Sequence, residues 1–137
     1  MRKLTACFFV LLLTEVSVAQ TVESKKAYVC AETEAVGFRS DQKTGVMKSG
    51  SFKGERFTMI FDGATAVVKD SGTGKETRYT CQQPWTYVAP KMYQCAFGFT
   101  VLAFDANFER FTLAHMYSFV NGSQDTLTIG YGTCQKF

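Results

Sequence analysis

The stretch Arg56-Phe57-Thr58-Met59-Ile60-Phe61, Asp62-Gly63, Ala64-Thr65-Ala66-Val67-Val68-Lys69 decides the fold class. Its apolar residues recur every second position, the period of a strand with one buried face. Asp-Gly favours a two-residue primed turn, because both central residues need positive φ. The segment therefore predicts a β-hairpin with Phe61 opposite Ala64, Met59 opposite Ala66 and Phe57 opposite Val68. All six are apolar and share one face.

The same alternation extends outward. Strands are predicted at about Lys26–Ala31, Glu76–Gln82, Lys91–Phe97, Phe99–Phe104, Phe111–Val120 and Thr126–Cys134. Gly37, Ser49-Gly50-Ser51, Ser71-Gly72-Thr73-Gly74, Asp105-Ala106-Asn107 and Asn121-Gly122-Ser123 punctuate them. A five-residue loop, Asn121–Asp125, sets Phe119 opposite Leu127, Tyr117 opposite Ile129 and His115 opposite Tyr131, gathering aromatics on one face. No window holds a helical period. The pattern predicts an all-β domain, an antiparallel sandwich or small barrel of about seven or eight strands.

Residues 1–19 have the layout of a cleaved signal peptide. Arg2 and Lys3 precede the apolar run Leu4–Leu13, and Ser17-Val18-Ala19 offers small residues before Gln20. The run is shorter than the roughly 20 residues needed to span a bilayer. Leu4-Thr5-Ala6-Cys7 is no lipoprotein box, because the apolar run follows the cysteine instead of preceding it. Residues 20–137 are expected to form one exported domain, periplasmic or extracellular, with no integral membrane segment.

Without Arg2, Lys3 and Glu15, 13 basic side chains face 11 acidic ones, a net +2. That near-neutrality argues against a nucleic-acid binder, which needs a clustered basic face. Once Cys7 leaves with the signal, Cys30, Cys81, Cys95 and Cys134 remain, and an even number in an exported chain reads as two disulfides. Zinc sites usually draw ligands from C-x(2–4)-C pairs, whereas the intervals here are 51, 14 and 39. No metal or cofactor is expected. Of the three connectivities, Cys81–Cys95 across a Pro-containing loop and Cys30–Cys134 between the terminal strands fit best.

Signals for chemistry are few. His115 is the sole histidine, placed mid-strand beside Phe111, Leu113, Tyr117 and Phe119, without a G-x-S-x-G elbow anywhere. It reads as a packed or hydrogen-bonded strand residue. Ser71-Gly72-Thr73-Gly74-Lys75 lacks the first glycine and the final Ser/Thr of a phosphate-binding loop, and reads as a turn. Glu32 and Glu34, two apart on one strand face, do not flank a cleft as acid–base pairs must. Asn121-Gly122-Ser123 is a glycosylation sequon, relevant only in a eukaryotic secretory pathway.

Two surfaces stand out. Arg39, Lys43, Lys48, Lys53 and Arg56 outnumber Asp41 and Glu55 across a stretch read as a long exposed loop, suited to an anionic surface or acidic groove. Trp85, Tyr87 and Tyr93 fall between Cys81 and Cys95 together with Pro84, Pro90 and Met92. Constrained aromatic loops make recognition surfaces because rigid rings lose little entropy on binding.

Tyr28-x-Cys30, Gly37-Phe38, Lys53-x-x-Arg56-Phe57, Cys81…Cys95, Phe104, Arg110-Phe111 and Ile129-Gly130-x-Gly132-x-Cys134 together resemble a group of small exported bacterial proteins of unknown function. That resemblance implies export and a cysteine-stapled β fold. Tyr28-x-Cys30 and Ser71-Gly72 are also similar to features of periplasmic inhibitors of c-type lysozyme, exported barrels whose Ser-Gly loop contacts the enzyme cleft. The expected function is a non-enzymatic interaction module for a protein or envelope component, binding through the aromatic loop. The alternatives are an apolar-ligand carrier and an inhibitor of a cell-wall hydrolase such as lysozyme.

Overall fold

The computed structural model describes residues 24–41, 43–87, 91–117 and 126–137. The signal segment and the Asn121 sequon lie outside them. Nine antiparallel strands run β1 (Lys26–Ser40), β2 (Met47–Phe52), β3 (Arg56–Phe61), β4 (Thr65–Asp70), β5 (Glu76–Gln82), β6 (Met92–Phe97), β7 (Thr100–Asp105), β8 (Arg110–His115) and β9 (Leu127–Lys136). Their order is β2-β1-β3-β4-β5-β6-β7-β8-β9, and β1 also pairs with β9. Eight strands thus close into a barrel, and β2 is added to its outside through β1.

Alternation places one face of every barrel strand inside. Tyr28, Phe57, Met59, Phe61, Leu102 and Phe104 are essentially solvent-free there. The rings interlock edge to face, Tyr28 and Phe61 each against Phe104 and Phe57 against Phe111. Such pairs add about 0.5–1.5 kcal/mol beyond their burial.

Both disulfides form as expected. Cys30 bonds Cys134 and Cys81 bonds Cys95, with Cα atoms 4.0 and 3.9 Å apart. Each joins residues directly opposite one another on neighbouring strands. Two intramolecular disulfides fit an oxidising compartment. Among the described residues no helix is long and apolar enough to cross a membrane.

The decisive hairpin forms with a shifted register. Phe61 pairs with Ala66, Met59 with Val68 and Phe57 with Asp70. Asp62 opens the turn instead of occupying its centre. Its carboxylate accepts the Ala64 and Thr65 N–H groups and the Thr65 hydroxyl, leaving Gly63 (φ 87°) first of the two central residues. That position also demands positive φ, so glycine is satisfied either way. A two-residue shift preserves the buried face.

Two other expectations change. The span Arg39–Arg56 is not a long loop: β1 continues to Ser40 and forms a hairpin with β2. β8 ends at His115, which faces Thr128, so Leu113 opposes Gly130 and Phe111 opposes Gly132. Tyr131 consequently points outward and lies half exposed. The inward positions of β9 go to Gly130, Gly132 and Cys134 because β1 passes too close for larger groups. A Cβ on Gly132 would collide with the Ala31 carbonyl and come within 2.7 Å of the Glu32 Cα.

Candidate functional site

Strand direction sorts the connections onto two rims. The Asp62–Thr65 turn, the connection from β5 to β6 and the turn from β7 to β8 share one rim. The β4–β5 loop, the β6–β7 turn, Glu55 and the end of β8 share the other.

The first rim carries the aromatic loop. Tyr87 is fully exposed and Trp85 is 49% exposed. Residues 88–90, including Pro90, lie outside the described set. The loop's stems are fixed where Cys81 faces Cys95, and the Cys81 N–H also donates to the Ala64 carbonyl at 2.8 Å. Tyr93 does not join this surface. It is 3% exposed and packs inside the barrel, edge-on to Phe61 at 4.5 Å. Period two explains this, since Tyr93 shares its strand face with buried Cys95, a signal present in the Tyr93-x-Cys95 spacing.

The second rim holds a polar cleft of about 550 Å³ between the barrel mouth and the β1–β2 hairpin. Glu32, Glu55, Thr100 and His115 line it from the barrel, and Arg39, Phe52 and Lys53 from the hairpin side. A β-bulge creates it. Glu32 pairs with Gly132 and Glu34 with Tyr131, so Thr33 is an extra residue. An extra residue inverts the facing of the positions beyond it along the strand. Glu32 keeps the inward side of Tyr28 and Cys30, while Glu34 turns outward, where its carboxylate accepts the Tyr131 hydroxyl at 3.3 Å. The two carboxylates are therefore not neighbours on one face, as the spacing alone implied.

Glu32 is instead brought to Glu55. The Glu32 N–H donates to the Glu55 carbonyl at 2.9 Å, and the Glu55 N–H donates to the Glu32 carboxylate at 2.7 Å. The Glu32 side chain lies over Gly130, where a Cβ would strike its carboxyl. Burial pushes the Glu32 carboxyl above its ordinary 4.5; the Glu55 N–H opposes this, the Glu55 charge adds to it, and His115 counters.

His115 ends β8 facing inward. Its Nδ1 lies 3.2 Å from the Thr100 hydroxyl, and its Nε2 lies 3.8 Å from a Glu55 carboxylate oxygen. Nε2 is shielded from solvent and has no hydrogen-bond partner. A small movement of Glu55 would close that gap. The hydrogen-bonded strand histidine read from sequence is present, and its acidic neighbours come from segments remote in sequence, Glu32 from β1 and Glu55 from the β2–β3 connection.

The basic residues do not form one patch. Lys48 pairs with Asp41 at 2.6 Å, and the Arg39 guanidinium stacks over Phe52 at 5.2 Å. Arg39 and Lys53 face the cleft, while Lys43 sits in the exposed β1–β2 turn, its N–H donating to Asp41. Among the described residues no group of three His, Cys, Asp or Glu is placed to hold a metal ion. Compared with known proteins, the chain matches no family, no curated protein and no solved structure.

Proposed function

We propose that this chain is an exported interaction module, periplasmic or extracellular, that engages a protein or envelope component through the Trp85–Tyr87 loop. One observation carries the reading: a fully exposed Tyr87 beside a half-exposed Trp85, on a loop whose stems are cross-linked by Cys81–Cys95. Large aromatic rings on a short cross-linked loop offer contact area at little conformational-entropy cost on binding. In this reading the chain does no chemistry. The test is Trp85→Ala with Tyr87→Ala. The double variant should keep its melting temperature and lose capture of its partner from envelope extracts. Undiminished capture would remove the loop from the reading.

A second reading, inhibition of a cell-wall hydrolase such as lysozyme, draws support from the eight-stranded barrel and its exposed Ser71–Gly74 loop. That loop is stiff, since the Asp70 carboxylate accepts both the Thr73 N–H and the Thr73 hydroxyl. Inhibition of c-type lysozyme abolished by Ser71→Ala but untouched by Tyr87→Ala would favour it. The carrier alternative would need the space that Tyr28, Phe57, Phe61 and Phe104 occupy.

A further inference from the structure

The polar cleft lies on the rim opposite the aromatic loop, so recognition there would be independent of it. Its volume of about 550 Å³ falls in the range of small-ligand sites. Its charges cancel formally: Glu32 and Glu55 face Arg39 and Lys53. An anion would meet two carboxylates and a cation two basic groups, so neither is selected. What the walls do offer is acceptors, donors and the hydroxyls of Thr100 and Thr128, which serve as both. Two rings complete it, Phe52 from the hairpin side and Tyr117 from the barrel. Tyr117 is half exposed, with its other side leaning on Phe99 at 5.6 Å.

A sugar ring needs this combination. Its rim of hydroxyls calls for donors and acceptors together, and its C–H face packs on an aromatic ring. We infer that the cleft is a binding site for a neutral oligosaccharide, held by Glu32, Glu55, Arg39 and the two threonine hydroxyls and stacked on Tyr117. The bulge is the device that shapes it: Glu32 keeps the inward side, while the extra residue turns Glu34 out and brings Ala35 and Arg39 to the cleft.

The test is an NMR titration of the exported protein with chitotriose and maltotriose, neutral trisaccharides with and without acetamide groups. Glucuronate and glucosamine serve as the anionic and cationic comparisons. At least one trisaccharide should give saturable shifts at Thr100, His115 and Thr128 by roughly 10 mM, enough for millimolar affinity. The Trp85 indole should stay still. Tyr117→Ala, at an exposed position, should keep the melting temperature and weaken binding about tenfold. Absence of saturable shifts with both trisaccharides would overturn the inference. So would tighter binding of either charged sugar, shifts centred on Trp85, or unchanged affinity in Tyr117→Ala.

Discussion

The two disulfides are locally almost identical, each a cross-strand link between directly opposed inward cysteines, yet they fasten different things. Cys30–Cys134 spans 104 residues and lies in the β1–β9 seam, the pairing that turns a sheet into a barrel. Cys81–Cys95 spans 14 residues and ties two strands that the chain already holds together by one short connection. The same bond in the same geometry therefore differs in topological consequence. At the seam it suppresses two long strand edges, which would otherwise be free to recruit other chains. At the staple it fixes a loop.

Removing the seam bond is expected to have the largest effect. Loop-closure entropy assigns a cross-link of this span about 4.7 kcal/mol and the shorter one about 3 kcal/mol. Cys30→Ala with Cys134→Ala should sharply lower the denaturant midpoint and produce concentration-dependent aggregates in light scattering. Cys81→Ala with Cys95→Ala should lose less stability and form no such aggregates, while the Trp85 emission becomes more accessible to quenchers. Aggregation of the second variant but not the first would break the comparison.

Glycines sharpen it further. Gly132→Ala drives a Cβ into the Ala31 backbone, which cannot move without disturbing the seam, and should cost about 1–3 kcal/mol in chemical denaturation. Gly130→Ala meets the Glu32 carboxyl, the far end of a flexible side chain. It should cost less, and it should empty the cleft of Glu32. Equal losses would mean that the seam tolerates displacement of its backbone.

The contrast also explains which features are legible in the sequence. The hairpin face and the strand period follow from alternation and local turn chemistry, so the residues themselves carry them. The cysteine pairings are one of three connectivities, favoured by the Pro-containing loop and the terminal strands. Met47-Lys48-Ser49-Gly50-Ser51-Phe52 has almost no apolar alternation, because β2 lies outside the barrel with both faces largely wet. Nothing in its composition separates it from a loop. The bulge at Thr33 and the facing of β9 belong to the long-range pairing of β1 with β9, which local spacing does not encode. The cleft depends on that bulge. Glu32, Arg39, Lys53 and His115 can each be singled out by residue type, but only the bulge and the long-range strand pairings bring them to one cleft. Tyr93 is the exception. Its core position can be read from Cys95 two residues on, and the aromatic cluster around it points the wrong way.

Acid separates the two regions most gently. Near the staple, Asp62 lies in the turn whose Ala64 carbonyl accepts the Cys81 N–H. Burial opposes its ionisation, but the Thr65 N–H and hydroxyl and the Ala64 N–H together hold it below its ordinary 3.8. At the seam Glu32 moves the other way, above 4.5, chiefly because burial disfavours its charge. A lowered carboxyl contributes stability above its unfolded value that is lost as pH falls through the folded one. A raised carboxyl contributes stability below its unfolded value that is lost as pH rises through the folded one. The windows therefore do not overlap. Stability should rise slightly as pH falls from neutral towards 4.5, then decline below 3.8. Glu32→Gln keeps an oxygen for the Glu55 N–H and removes the charge, so it should abolish the rise and leave the decline. Both carboxyls are substantially solvent-screened, so each effect should stay below about 1 kcal/mol. Denaturant midpoints measured from about pH 3 to 7 on both proteins decide it: a rise that persists in Glu32→Gln would show that Glu32 is not its source.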